Sequence, residues 1–276
     1  MSEAEAITKK ANSNLAFAFV CLPKQRRKDM ITFYAFCRMV DDLADSPDIP
    51  MEKKVAGLNM WKMVFSENPP SNLRPTQLDL LDIRDRYGID NQLFLDLIDG
   101  CESDLQPSRR FGSWEELEQY TYKVACCVGL ISIKIFGCTH KDSEKYAIAL
   151  GHALQLTNIL RDVGEDLSDN LRIYIPEGDM IRFQYSERDL VGRVYDGRFI
   201  SMMQYIAERA EHYYSEAVLA IHEDDKNALK SSEAMRKIYY GILKKMKADD
   251  FKVFDQRYAL SKPRKAWILC TTMLGF

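Results

Sequence analysis

The sequence predicts an all-α protein folded as one domain. Three observations carry that reading. Apolar residues recur with helical period along almost the whole chain, alternating β pattern and hairpin dipeptides are missing over any useful length, and no Gly/Ser-rich linker or composition shift divides the 276 residues. A chain of this length with 46% apolar residues can bury a large core, so a single domain spanning 1–276 is expected.

Taken in order, residues 4–19 lead to Leu22-Pro23, where the proline ends a segment. Residues 24–45 read as a long helix, basic at its start and apolar through Ile31, Phe33, Tyr34 and Phe36, and stopped by Pro47 and Pro50. An amphipathic helix follows over 51–65, then a proline-rich loop over 67–75, then helices over 76–87 and 91–105 separated by Gly88. Ser113-Trp-Glu-Glu116 has the form of a capping box and predicts one long helix to Phe136. Residues 141–166 form the next helix, 168–177 a loop containing Pro176, and 179–192 short helices. Long helices are predicted again over 198–222 and 230–247, ahead of a tail over 262–276.

Composition excludes several function classes. A net charge of -3 gives no basic face for nucleic acid. The seven cysteines show no C-x-x-C or Cys/His zinc spacing and read as free thiols of a reducing compartment. No secretory signal opens the chain, and the longest apolar run, 124–138, carries Lys134 and falls short of the roughly 20 residues a bilayer span needs. The expectation is a cytoplasmic protein. Its tail, basic and then apolar, reads first as a docked terminal helix and second as peripheral contact with a membrane.

The chemistry concentrates in two stretches. In Gln155-Leu-Thr-Asn-Ile-Leu-Arg161-Asp162-Val-Gly-Glu165-Asp166, residues Gln155, Asn158, Asp162 and Asp166 share one helix face, bordered by Leu154, Leu156, Ile159 and Leu160. The polar line therefore points into a protein interior. Upstream, Arg38, Asp41, Asp42 and Asp45 share a face at i, i+3, i+4 and i+7 behind an apolar run. A lone D-x-x-x-D is more often a solvated helix end. Two copies, each with an arginine, point to two halves of one site, where carboxylates about 6 Å apart call for a positive charge between them.

Oxygen donors of this kind suit Mg²⁺, which is commonly held by one or two carboxylates together with substrate phosphates. Zinc would want His or Cys, no E-x-x-H of the di-iron type occurs, and the phosphate loops GxxxxGK[ST] and GxGxxG are absent. A bound phosphate would then be held by metal and arginine. NADPH finds no support in the sequence.

The paired acidic segments, with Arg172-Ile-Tyr-Ile-Pro176 after the second, resemble the squalene and phytoene synthase family of head-to-head prenyl synthases, from about Asn12 to the end. The resemblance implies a bundle of long helices around a central cavity. It implies Asp41, Asp45, Asp162 and Asp166 as Mg²⁺ ligands through prenyl diphosphates, with Asn158 assisting and Asp42 near the first site. Arg38, Arg161 and Arg172 match diphosphate partners. Tyr120 matches the tyrosine at the reacting centre and Tyr239 a second cavity tyrosine. Tyr34 falls in the first motif's apolar approach, Ala125 and Gly129 leave room for prenyl chains, and Gln155 borders the second acidic site. Without the family, Tyr120 and Tyr239 would read as core, Gly129 as helix packing and Arg161 as a surface salt-bridge partner; His152 reads as structural.

Two departures from the family pattern stand out. Asn12-Ser13-Asn14-Leu15 replaces a Ser-x-Ser-Phe-like run, and one extra residue between Asp166 and Arg172 leaves Arg172 open to displacement. The implied reaction condenses two prenyl diphosphates, farnesyl rather than geranylgeranyl, through a cyclopropylcarbinyl diphosphate to a squalene-, dehydrosqualene- or phytoene-type product. The rivals are a head-to-tail prenyltransferase or terpene cyclase, whose usual N-D-x-x-S/T-x-x-x-E motif is missing, and a non-catalytic helical assembly protein of the same fold.

Overall fold

A computed structural model describes residues 3–11, 19–106, 108–169 and 171–275; the departure at Asn12–Leu15 lies outside them. Among the described residues there is no strand. Helix α1 (Glu3–Ala11) carries acids in its first turn and lysines in its last, which complements the helix dipole. Pro23 and Pro50 stand just before α2 (Lys24–Asp45) and α3 (Met51–Val64), and Pro75 opens α4 (Pro75–Tyr87), where its missing N–H costs nothing. Gly88, at φ +59°, ends α4 in a left-handed cap, and the Asp90 side chain caps α5 (Asn91–Ser103).

The predicted single helix over 113–136 is corrected. The structure shows α6 (Trp114–Thr121), a π-helical turn (Tyr122–Cys126) and α7 (Cys127–Phe136), which Gly137 terminates at φ +82°. One extra residue in a continuous helix leaves the apolar pattern on both sides intact, which is why periodicity does not reveal it. The capping box is also shared differently: Ser113 accepts from Glu116 N, while the Glu116 carboxylate accepts from Gly112 N at 2.8 Å.

Helix α8 (Asp142–Asp169) outlasts its predicted end by three residues, and at 28 residues is about 42 Å long. Short helices α9 (Glu177–Arg182) and α10 (Glu187–Val191) lead to α11 (Gly197–Leu219), α12 (Lys230–Ala248) and α13 (Lys262–Met273). Helix α8 packs most extensively on α11 and also meets α7, α12 and the π-turn.

Two apolar cores result. One joins α8, α11 and α12; the other joins α2, α3, α4, α5 and α7 around a cluster of Phe33, Phe36, Trp61, Phe65 and Phe94. Most of the aromatic residues are thus ordinary core. His152 is structural as expected, bonded to the Thr121 hydroxyl at 2.8 Å and stacked on Tyr213. All seven cysteines are free thiols. A cavity lies on the seam between the cores and takes its walls from both.

Candidate active site

The C-terminal halves of α2 and α8 bring the two acidic faces to one mouth. Arg38 donates to Asp41 at 2.7 Å and also pairs with Asp42. Across the opening, Arg172 bridges the motifs by ion-pairing with Asp45 at 2.8 Å. The extra residue after Asp166 is absorbed locally: Leu171 takes a left-handed conformation (φ +51°), and Arg172 N donates to Asp166 O at 3.1 Å. Asp162 is gripped from two sides, by Arg161 at 2.8 and 2.5 Å and by Arg257 at 3.0 Å; Arg257 also reaches Glu165 at 3.3 Å.

Between the motifs stands Asp104, in the turn after α5. Its carboxylate accepts from the Tyr120 hydroxyl at 2.7 Å and the Tyr174 hydroxyl at 3.4 Å, and Arg172 donates to its backbone carbonyl at 3.3 Å. Enclosure pushes Asp104 up to about 6, against the lowering by the Tyr120 hydrogen bond and Arg172. Asp41 is pushed up to about 6 by enclosure and then by Asp45, and Asp166 to about 8 by enclosure and then by Asp162. Asp104 contributes to raising both, so all three carboxylates share one field. The mouth holds more negative charge than its arginines balance.

Below the mouth the cavity encloses about 740 Å³. Tyr34, Arg38, Asp41, Tyr120, Ala125, Gly129, Gln155, Asn158, Arg161 and Tyr239 all lie on its wall. Along α8 the wall runs from Arg161 down to Tyr146, about 22 Å of helix axis, and the lower part is largely apolar through Leu150, Leu154, Ile133, Phe136 and Met235. Asp45, Asp162, Asp166 and Arg172 are not on the wall: Asp162 touches it through Arg161 and Arg257 and Arg172 through the Asp104 carbonyl, while Asp45 and the Asp166 backbone carbonyl are joined to Arg172. Asp42 stays near the first motif as expected, 61% exposed and ion-paired with Arg38, and like Asp45 is not on the wall itself. Gly129 combines two readings. It lines the cavity, and a Cβ there would lie 2.8 Å from Ala147 O, so the close approach of α7 to α8 requires it.

Sequence reasoning missed four groups at this site: Asp104, Tyr174, Arg257 and Lys265. A signal existed only for Tyr174, which sits inside the Arg172–Pro176 stretch. Among the described residues no three His, Cys, Asp or Glu side chains converge as a ready-made metal cage. The donors present still fit a hard cation. They are all oxygen, they carry excess negative charge, and the buried Asn158 Oδ1 has no hydrogen-bond partner. An incomplete protein shell is what Mg²⁺ meets when phosphates complete its coordination.

A family model described as squalene/phytoene synthase matches residues 8–264. The 15-cis-phytoene synthase of Synechocystis is 33% identical over 285 residues, covering 96% of this chain and 83% of that protein. The presqualene diphosphate synthase of Rhodopseudomonas palustris is 33% identical over 261 residues, covering 93% and 91%. A crystal structure of a dehydrosqualene synthase in complex with ligand superposes with a TM-score of 0.85 at 29% identity, over 99% of this chain and 94% of that one. A squalene synthase structure from Alicyclobacillus acidocaldarius, 22% identical with a TM-score of 0.78 over 90% and 93%, shares the fold. With matching acidic faces over one deep cavity and relatives along nearly its full length, the chain belongs to the squalene/phytoene synthase family of prenyltransferases, which condense two prenyl diphosphates head to head.

Proposed function

We propose that this protein joins two molecules of farnesyl diphosphate head to head in a Mg²⁺-dependent reaction. The observation that carries the reading is the meeting of the two acidic faces over an apolar cavity, closed by the Arg172–Asp45 bridge. Asp41, Asp45, Asp162, Asp166 and the unpartnered Asn158 Oδ1 would hold Mg²⁺ together with the diphosphates. Bound there, the metal supplies Lewis-acid withdrawal of electron density toward the leaving diphosphate. Arg38, Arg161, Arg172 and Arg257 ring the mouth and are placed to bind phosphate oxygens bidentately.

The wall then handles what ionisation leaves. An allylic cation is quenched by water, and the apolar lower cavity keeps water away. Aromatic faces such as those of Tyr120 and Tyr239 stabilise a cation by about 0.5 to 2 kcal/mol each. Attack by the second chain's double bond, with loss of one proton, gives a cyclopropylcarbinyl diphosphate, which ionises again by releasing its diphosphate, rearranges, and loses a second proton to leave the polyene. The presqualene diphosphate and dehydrosqualene synthases among the relatives support the squalene-type skeleton and farnesyl diphosphate, and the phytoene synthases among them support the longer geranylgeranyl substrate as the second reading.

Incubating the pure protein with Mg²⁺ and either farnesyl or geranylgeranyl diphosphate tests this, with released diphosphate and extracted hydrocarbon as readouts. Turnover of the farnesyl substrate is expected. Turnover of only the geranylgeranyl substrate would overturn the chain length, and release from neither would overturn the activity.

The reading extends to a membrane surface. No described helix is long and apolar enough to cross a bilayer. Helix α13 nevertheless turns Trp267, Cys270, Met273 and Leu274 outward beside Lys262 and Arg264, with Trp267 62% and Leu274 74% exposed. A Trp-bearing apolar stripe with a basic flank suits an anionic bilayer, the natural sink for a hydrocarbon product. Flotation with vesicles containing phosphatidylglycerol should carry the protein upward, and Trp267→Ser with Leu274→Ser should abolish it. Equal flotation of the double variant would remove the tail from this role.

A further inference from the structure

Asp104 belongs to neither acidic motif, yet it stands on the cavity wall between them. Its Oδ2 accepts a hydrogen bond from the Tyr120 hydroxyl at 2.7 Å, and its Oδ1 accepts from the Tyr174 hydroxyl at 3.4 Å. The three rings of Phe111, Tyr120 and Tyr174 close on one another, with centroids 5.3 to 5.7 Å apart, and the Arg109 guanidinium covers Phe111 at 4.8 Å. The Tyr120 ring is therefore fixed by packing. Its hydroxyl has two polar neighbours, Asp104 and the Tyr174 hydroxyl, and the 2.7 Å bond to the carboxylate fixes its proton on Asp104.

A phenol that donates to a fixed carboxylate has one orientation. Its hydrogen points at Asp104, and its oxygen lone pairs and ring face remain for the cavity, where the family reaction generates positive charge. Donation to an anion also raises the electron density on the phenol oxygen, which strengthens its dipole toward a cation. Without the carboxylate only the neutral Tyr174 hydroxyl would compete for its proton, and whenever the proton turned toward the cavity its dipole would oppose the cation. One hydrogen bond thus decides the sign of the interaction.

Resting on the head-to-head reading above, we infer that Asp104 is a positioning residue that locks the Tyr120 hydroxyl with its lone pairs toward the reacting carbons. Diphosphate binding belongs to the arginines and the motif carboxylates, so Asp104 acts on kcat and not on KM. It acts through Tyr120, so the two residues are not additive.

The experiment compares wild type, Asp104→Asn, Asp104→Leu, Tyr120→Phe and the Tyr120→Phe/Asp104→Leu pair, using Mg²⁺ with whichever of farnesyl or geranylgeranyl diphosphate the wild type turns over. Asp104→Leu and Tyr120→Phe should each lower kcat about 100-fold with KM within about threefold of wild type. The pair should cost no more than about threefold beyond either alone. Asp104→Asn keeps an acceptor oxygen and should recover activity to within about tenfold of wild type. Should the Leu variant fail to fold, Asp104→Asn made in the Tyr120→Phe background completes the same cycle, with no further loss expected. Additive losses, a KM rise matching the fall in kcat, or Asn no better than Leu would overturn the inference while leaving the activity standing. A wild type inert toward both substrates would instead overturn the parent reading, and this one with it.

Discussion

Arg172 reaches across the cavity mouth to hold Asp45 at 2.8 Å, tying the loop after α8 to the end of α2. Each partner comes from a different acidic segment, so the bridge registers one half of the site against the other. Arg172 also donates to the Asp104 backbone carbonyl, so one guanidinium touches all three walls of the mouth.

Removing that guanidinium should affect chemistry more than folding. Arg172→Ala is expected to lower kcat/KM about 100-fold, and Arg172→Lys to restore little because a point charge cannot reproduce the fork. The Asp45 side chain is 46% exposed, so the bridge itself should contribute under about 1 kcal/mol to stability. Initial rates of diphosphate release and a melting curve check both; a large drop in melting temperature would make the bridge structural.

Asp166 offers a test with the opposite sign. Its carboxyl is held up to about 8, against about 3.9 for an unfolded aspartate. Between those values the native state keeps a proton that the unfolded state has released, so stability falls as pH rises and the full penalty applies above pH 8. Asp166→Asn should therefore raise the melting temperature at pH 8.5, have little effect at pH 5, and abolish turnover. A variant less stable than wild type at pH 8.5 would contradict the strained-charge account.

Mg²⁺ with inorganic pyrophosphate should stabilise the wild type, by about 2.7 kcal/mol at one hundred times the dissociation constant. Asn158→Leu removes the orphaned buried oxygen and should weaken that stabilisation without lowering the melting temperature of the metal-free protein. Chelation with EDTA should end turnover. An unchanged shift in Asn158→Leu would place the cation elsewhere.

Gly151 makes a purely steric prediction. A Cβ there would lie 2.7 Å from Cys126 Cα, where α8 crosses the π-turn, and backbone cannot rotate away. Gly151→Ala should cost about 1 to 3 kcal/mol by overpacking, read as a lower urea midpoint with an unchanged m-value. No change in midpoint would mean that the two segments part more easily than their packing suggests.

The helices and the two acidic faces were legible because both are periodic. Arg38, Asp41, Gln155 and Asn158 reach the cavity wall from spacings visible in one dimension, whereas Arg161, one residue off the predicted stripe, was implied by the family resemblance alone. Asp104 was not legible, since a lone aspartate after a helix resembles any polar turn until folding brings Tyr120 and Tyr174, 16 and 70 residues away, to its oxygens. Arg257 was hidden for a similar reason: it sits in irregular chain between α12 and α13, where no period marks which side chains face inward.

The π-turn at Tyr122–Cys126 has a consequence for how this wall can vary. Each residue advances a helix by about 100°, so the surplus residue changes the phase of everything from Cys127 onward relative to Tyr120. Deleting one residue there should swing Val128, Gly129 and Ser132 off the cavity wall as a block, whereas exchanging Lys123, which is not on that wall, should leave them in place. Which side chains of α7 form the cavity wall is therefore set by a count of residues as well as by their identities.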